Sequence, residues 1–122
     1  MTLPNKHIKD YRRLARLLDS GATFTAFDTE TTGLNCQTCR IIEIGAVQFN
    51  KSGILRSFST LINPHQSVPF ECSQINHITD EMLAGKPEIQ DILPDFLNFL
   101  GNSIIIGHNV NFDLRFLNAE ME

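Results

Sequence analysis

Asp28-Thr29-Glu30 places two carboxylates two residues apart at the end of a β-branched and aromatic stretch, Ala22-Thr23-Phe24-Thr25-Ala26-Phe27, and directly ahead of Thr31-Thr32-Gly33-Leu34. A stretch of that kind reads as a buried strand. Residues i and i+2 of a strand share a face, so Asp28 and Glu30 project side by side. Adjacent anions repel unless something positive lies between them, and a divalent ion with hard oxygen ligands answers that need.

The chain that must position these acids has 122 residues, 42% of them apolar and 20% charged, which suits one soluble domain with a modest core. Its formal net charge of −4 argues against coating nucleic acid by charge alone. Lys6, Lys9, Arg12, Arg13 and Arg16 nevertheless crowd into the first sixteen residues. No apolar run approaches the ~20 residues that span a bilayer, and no signal-peptide pattern opens the chain. A cytoplasmic protein with no membrane partner is the expectation. Cys36-Gln-Thr-Cys39 has no second pair to complete a zinc site, and with Cys72 it is read as incidental thiols ahead of metal or redox chemistry.

Two units are expected: residues 1–21, a basic amphipathic helix, and residues 22–122, a partial catalytic domain. In the first, Ile8, Tyr11, Leu14 or Ala15, and Leu18 form an apolar stripe over about Asn5–Ser20, stopped by Gly21. Its basic face reads as a solvated surface ahead of a phosphate-contacting or docking face. After the Asp-Glu strand and a polar loop, Ile41–Phe49 and Ile54–Ile62 read as two further strands of an antiparallel meander. A loop containing Pro69 leads to a short helix, Asp80–Leu83, capped by Thr79. A longer helix spans Ile89–Leu100 with Ile89, Ile92 or Leu93, Phe96 and Leu100 buried, and Pro94 should shift or kink its first turn. Ser103-Ile104-Ile105-Ile106-Gly107 is an apolar strand of the parallel-sheet kind, followed by a helix that Asn109 or Asn111 can cap.

The order β-β-β-α-β-α makes this an α/β chain with a mixed, ribonuclease H-like sheet, lacking that fold's C-terminal strand and helix. In such a sheet the first strand is central and the fourth lies beside it, which brings Asp113 to Asp28 and Glu30. Three carboxylates without imidazole or thiolate select Mg²⁺ or Mn²⁺. Two such ions about 4 Å apart would serve phosphodiester hydrolysis.

The stretches Phe27–Leu34, Ile42-Glu43-Ile44-Gly45-Ala46-Val47, His77-Ile78-Thr79-Asp80 and Gly107-His108-Asn109-Val110-Asn111-Phe112-Asp113 resemble the DEDD (DnaQ-like) 3′→5′ exonucleases, above all the proofreading exonucleases of bacterial DNA polymerase III. The resemblance implies that Asp28, Glu30 and Asp113 are catalytic metal ligands. It implies that Thr31, Gly33 and Leu34 meet the 3′-terminal nucleotide and that His77 approaches its 3′-hydroxyl. His108 and Asn109 are expected to orient the strand–helix turn, and Phe112 to lie in the core. The implied substrate is the 3′ end of single-stranded DNA, with RNA an alternative, and the implied partner is a DNA polymerase subunit.

The family's third motif, His-x-x-x-x-Asp on a later helix, supplies a general base and a fourth acid. His108 to Asp113 has that spacing, but its Asn-x-x-Phe-Asp content and preceding Ile-rich strand mark it as the second motif, and five residues past His7, His65 and His77 lie Arg12, Phe70 and Met82. Weak or absent hydrolysis by this chain alone is therefore expected. An open Ile104–Ile106 edge should favour self-association. The competing reading is an inert nucleic-acid or polymerase-docking module that keeps the fold.

Overall fold

A computed structural model of the chain describes residues 10–122. Nine elements follow in the order α1 (Tyr11–Asp19), β1 (Phe24–Thr31), β2 (Ile41–Asn50), β3 (Gly53–Leu61), α2 (Phe70–Asn76), α3 (Asp80–Leu83), α4 (Ile89–Leu100), β4 (Ile104–Ile106) and α5 (Val110–Glu120). The sheet runs β3-β2-β1-β4, antiparallel between β1, β2 and β3 and parallel between β1 and β4. The expected mixed sheet is present, with β1 internal and β4 at an edge. No described helix is long and apolar enough to cross a membrane.

The principal core lies between the sheet and α4 and α5, where Phe27, Ile44 and Ala46 meet Leu93, Phe96, Phe99, Leu114 and Phe116. Phe96 is 0% exposed, with ring centroids 5.3 Å from Phe58 and 5.7 Å from Phe27. A smaller cluster of Ile42, Val68, Ile78 and Leu83 joins β2 to the α2–α3 region. Ile41 and Ile42 are consecutive, yet both are fully buried, one in each cluster. Glu30 pairs with Glu43 but Thr31 pairs with Ile41, so a bulge leaves Ile42 out of the β1 ladder and shifts the alternation, which puts Ile41 rather than Ile42 in the cluster of Ile44 and Ala46.

Several local expectations needed correction. Residues 70–76 form α2 where the sequence suggested only loop. This helix buries none of its residues and so carries no apolar period to read. Pro94 falls inside α4, which runs Ile89–Leu100 as expected, and it is exposed, so the backbone carbonyl it leaves unpaired faces water. Phe99 joins Ile89, Leu93, Phe96 and Leu100 on the buried face of α4. Asn109 holds the N-cap position of α5 without a side-chain cap bond, and its carbonyl accepts the N–H groups of Phe112 (3.0 Å) and Asp113 (3.4 Å).

In α1, Asp10 caps the N-terminus by accepting from the Arg12 N–H at 2.9 Å. The N–H groups of Ser20, Gly21 and Ala22 return to the carbonyls of Arg16, Leu18 and Leu17 and close the helix. Leu14, Leu17 and Leu18 are half-buried while Tyr11, expected on the apolar stripe, is 84% exposed. Arg12, Arg13 and Arg16 are exposed. Asn5, Lys6, Ile8 and Lys9, the remainder of the predicted helix, lie outside the described residues.

Candidate active site

Burial alternates along β1: Phe27 and Thr29 are buried, Asp28 is exposed and Glu30 half-buried. Asp28 and Glu30 thus share the open face, as a strand requires. Pairing with β2 sets Gly45 opposite Asp28 and Glu43 opposite Glu30. A Cβ placed at Gly45 would meet nothing within 4 Å, so the space beside Asp28 is open. Glu43 adds a fourth carboxylate to this end of the sheet. Like charges directly opposite one another on neighbouring strands are destabilising.

Asp113 arrives from α5. It is 2% exposed and reaches β1 through Thr29, the residue between the two acids. The Thr29 hydroxyl and its N–H (3.2 Å) both donate to Asp113 Oδ1, and the same N–H donates to Asp28 Oδ1 at 3.0 Å. One backbone N–H therefore lies between two carboxylates. Gly107 permits the approach that makes this possible: a Cβ there would stand 3.1 Å from the Phe27 carbonyl oxygen.

Burial pushes the Glu30 carboxyl above its ordinary pKa, and the charges of Asp28, Glu43 and Asp113 add to the rise. Burial also raises Asp113; the Thr29 hydroxyl opposes that rise, Asp28 adds to it, and the Thr29 N–H opposes it. These acids share one repulsive field. Among the described residues no group of three or more His, Cys, Asp or Glu is arranged to hold a metal ion. The donor type alone, carboxylate oxygens gathered at one end of the sheet, suits a hard divalent cation.

A carboxyl whose folded pKa exceeds its unfolded value binds its proton more tightly in the folded chain. The stability tied to such a group is complete below the unfolded value and lost as pH rises through the folded one. In EDTA, the wild-type urea midpoint should therefore fall relative to that of Glu30→Gln as pH climbs from about 4 through the region just above ordinary carboxylate values. Mg²⁺ should flatten the difference. A wild-type midpoint that rises relative to the variant would contradict the assignment.

The residues implied in substrate contact are placed less uniformly. Thr31 turns back on its own loop, its hydroxyl donating to the Gly33 carbonyl at 2.6 Å. Gly33 lies against Cys39: a Cβ there would stand 2.6 Å from Cys39 Sγ, which would have to turn away. Leu34 is 87% exposed at the loop's outer side. His77 is exposed and caps α2 in the left-handed region (φ 62°), its N–H returning to the Ser73 carbonyl. That position favours glycine. His77→Gly should raise stability by about 0.5–1 kcal/mol in urea titrations, because relief of left-handed strain exceeds glycine's added chain entropy. His108 and Asn109 are exposed at the β4–α5 turn, and Phe112 is half-buried against the principal core.

Thr29 and Glu43 were given no role from sequence. The one sequence signal for Thr29 is its position between two acids, where its side chain points to the other face. Glu43 matters through cross-strand register, which sets it opposite Glu30. Thr29→Val keeps the shape and deletes the hydroxyl. It should raise the Asp113 pKa further and weaken Mn²⁺ binding by roughly 10–100-fold, read by calorimetry and carboxyl NMR titration.

A protein-family model described as Exonuclease matches residues 25–122. The epsilon subunit of DNA polymerase III from Treponema pallidum is 55% identical over 98 residues, 80% of this chain and 46% of that protein. The PolC-type DNA polymerase III of Thermotoga petrophila is 51% identical over 96 residues, 79% of this chain and 7% of that protein. The chain thus spans about half the length of the first relative and a small part of the second. Among solved structures, exonuclease X in complex with 5′-overhanging duplex DNA aligns at a TM-score of 0.65 and 33% identity, over 76% of this chain and 52% of that one. Product-bound exonuclease I aligns at a TM-score of 0.70 over 78% of this chain and 24% of that one, at 18% identity, a likeness of fold alone.

Proposed function

The chain belongs to the DEDD (DnaQ-like) exonuclease family, and on that premise we propose that residues 25–122 are the metal-binding and 3′-end-binding part of a 3′→5′ exonuclease acting on single-stranded DNA. The observation that supports this reading most is the Thr29 N–H shared between Asp28 and Asp113, with Glu30 in the same repulsive field. In the proposed site Asp28, Glu30 and Asp113 hold Mg²⁺ or Mn²⁺. When bound, two such ions orient water and stabilise the leaving oxygen of a phosphodiester.

The chain's own residues do the rest. Thr29 fixes Asp113 by engaging Oδ1 twice, which leaves Oδ2 outside that pair of bonds. The open space at Gly45 admits the scissile phosphate beside Asp28. Exposed Leu34 offers apolar area to the terminal base, and the Thr31–Gly33 hydrogen bond holds the turn that presents it. His77, exposed at the end of α2, takes the 3′-hydroxyl. The polymerase III names of the relatives support a proofreading role beside a cytoplasmic DNA polymerase. β4, half-buried at the sheet edge, is the surface for self-association.

The test is an anisotropy titration of a fluorescent single-stranded oligonucleotide, joined to hydrolysis of 3′-labelled and 5′-labelled strands. Binding should tighten with Mg²⁺ or Mn²⁺, require a free 3′-hydroxyl and lose its cation dependence in Asp113→Asn. Any label released should come from the 3′ end first. Binding indifferent to cation and to the 3′ end would favour the inert docking module instead.

A further inference from the structure

The loop joining β1 to β2 carries a feature that the proposed site does not use. Asn35 caps a single helical turn: its side-chain oxygen accepts the Gln37 N–H at 2.9 Å, and its carbonyl accepts those of Thr38 (3.1 Å) and Cys39 (2.8 Å). Cys36 and Cys39 occupy the first and fourth positions of that turn. Residues three apart on a helical turn face the same side. Both cysteines are free thiols, both are half-buried, and both pack against the principal core. Cys72, the third thiol, belongs to the other cluster and donates to the Thr32 carbonyl at 3.3 Å.

The same turn is tied to the candidate site. Thr32 and Arg40 close the loop at its base, through Thr32 N–H to the Arg40 carbonyl (2.9 Å) and Arg40 N–H to the Thr32 hydroxyl (3.0 Å). Cys39 Sγ rests on Gly33, in the turn directly after Asp28 and Glu30. Arg40 Nε donates to Glu120 Oε1 at 2.6 Å, which links the loop to α5, the helix that carries Asp113.

We propose that Cys36 and Cys39 form a reversible dithiol–disulfide pair, oxidised by a low-molecular-weight disulfide, whose closure resets the Thr31–Leu34 turn. In the first step one thiolate attacks the small disulfide, forms a mixed disulfide and releases one small thiol. In the second, the other cysteine attacks the protein sulfur and releases the second small thiol. The protein loses two electrons and two protons, and the small disulfide gains both. A sulfur–sulfur bond of about 2.05 Å ties Cys39 Sγ to Cys36, and Cys39 Sγ is the atom that rests on Gly33, in the segment that follows the two acids.

The coupling to the acids rests on their reading as cation ligands; disulfide formation does not, so the experiment reads the two separately. The full chain is equilibrated in mixtures of reduced and oxidised glutathione, quenched, and cut with trypsin. Both cysteines then fall in one peptide, Leu17–Arg40, which contains no internal Lys or Arg. That peptide should lose the mass of two hydrogens, regain it with dithiothreitol, behave identically in Cys72→Ser, and stop at the mixed disulfide in Cys39→Ser. A peptide that stays reduced, that carries two separate glutathiones, or that crosslinks to Cys72 would overturn the pair. Oxidation should also change Mn²⁺ affinity by about fivefold or more in the wild type and leave Cys36→Ser unaffected. Equal affinities for the oxidised and reduced wild type would overturn the coupling while leaving the disulfide standing.

Discussion

With the family's His-x-x-x-x-Asp motif supplied, Asp28→Asn is expected to lower 3′-terminal nucleotide release by roughly 10³-fold relative to the same protein with Asp28, about 4 kcal/mol of transition-state stabilisation, while the fold survives. Asp28 is exposed on the open face of β1, so its replacement leaves no cavity. Its charge raises the pKa of both Glu30 and Asp113, so its removal relieves repulsion in the cation-free chain. The variant should therefore melt at or slightly above the wild-type temperature in EDTA and gain little from Mg²⁺, whereas wild type gains in proportion to its cation affinity. A residue retained for folding would behave in the opposite way, lowering stability with or without metal. Paired melting curves in EDTA and Mg²⁺ together with the activity ratio make the distinction. A variant that keeps full activity, or that loses stability in EDTA, would remove Asp28 from the site.

The second large effect belongs to the core. Phe96→Ala should cost about 3–5 kcal/mol, because it opens a cavity beneath the rings of Phe27, Phe58 and Phe99. Against the 5–15 kcal/mol that holds a typical domain, that loss is severe. Urea titration should show the midpoint falling with little change in slope. Phe27 is adjacent to Asp28 and packs on Phe96, so slackening there reaches the strand that carries the acids. Mn²⁺ affinity should weaken along with stability. A loss below about 1.5 kcal/mol, the range of a well-tolerated core swap, would mean that neighbouring rings refill the space.

Strand and helix identities were readable where side-chain period and burial agree. Ile89, Leu93, Phe96 and Leu100 repeat at three and four residues and lie on the buried face of α4. The apolar runs of β1 and β2 mark strands in which buried positions largely alternate with half-buried or exposed ones. The misses share a cause. Residues 70–76 bury nothing, so no pattern marks α2 as a helix. Tyr11 fits the stripe of α1 by spacing, but nothing in the fold covers it.

The pair Asp28 and Glu30 was fixed by sequence alone, since alternation on one strand leaves no freedom in which face they share. The identity of the third acid was also legible, through the order of strands and the motif around it. Tertiary structure decided how that acid is held. Asp113 meets β1 through Thr29, on the face opposite the other two acids, because α5 packs there and Gly107 lets it approach. It also set Glu43 beside Glu30, through pairing register, and seated Cys39 against Gly33. Each of these is a contact between residues far apart in the chain, chosen by packing and hydrogen bonding that local spacing does not encode.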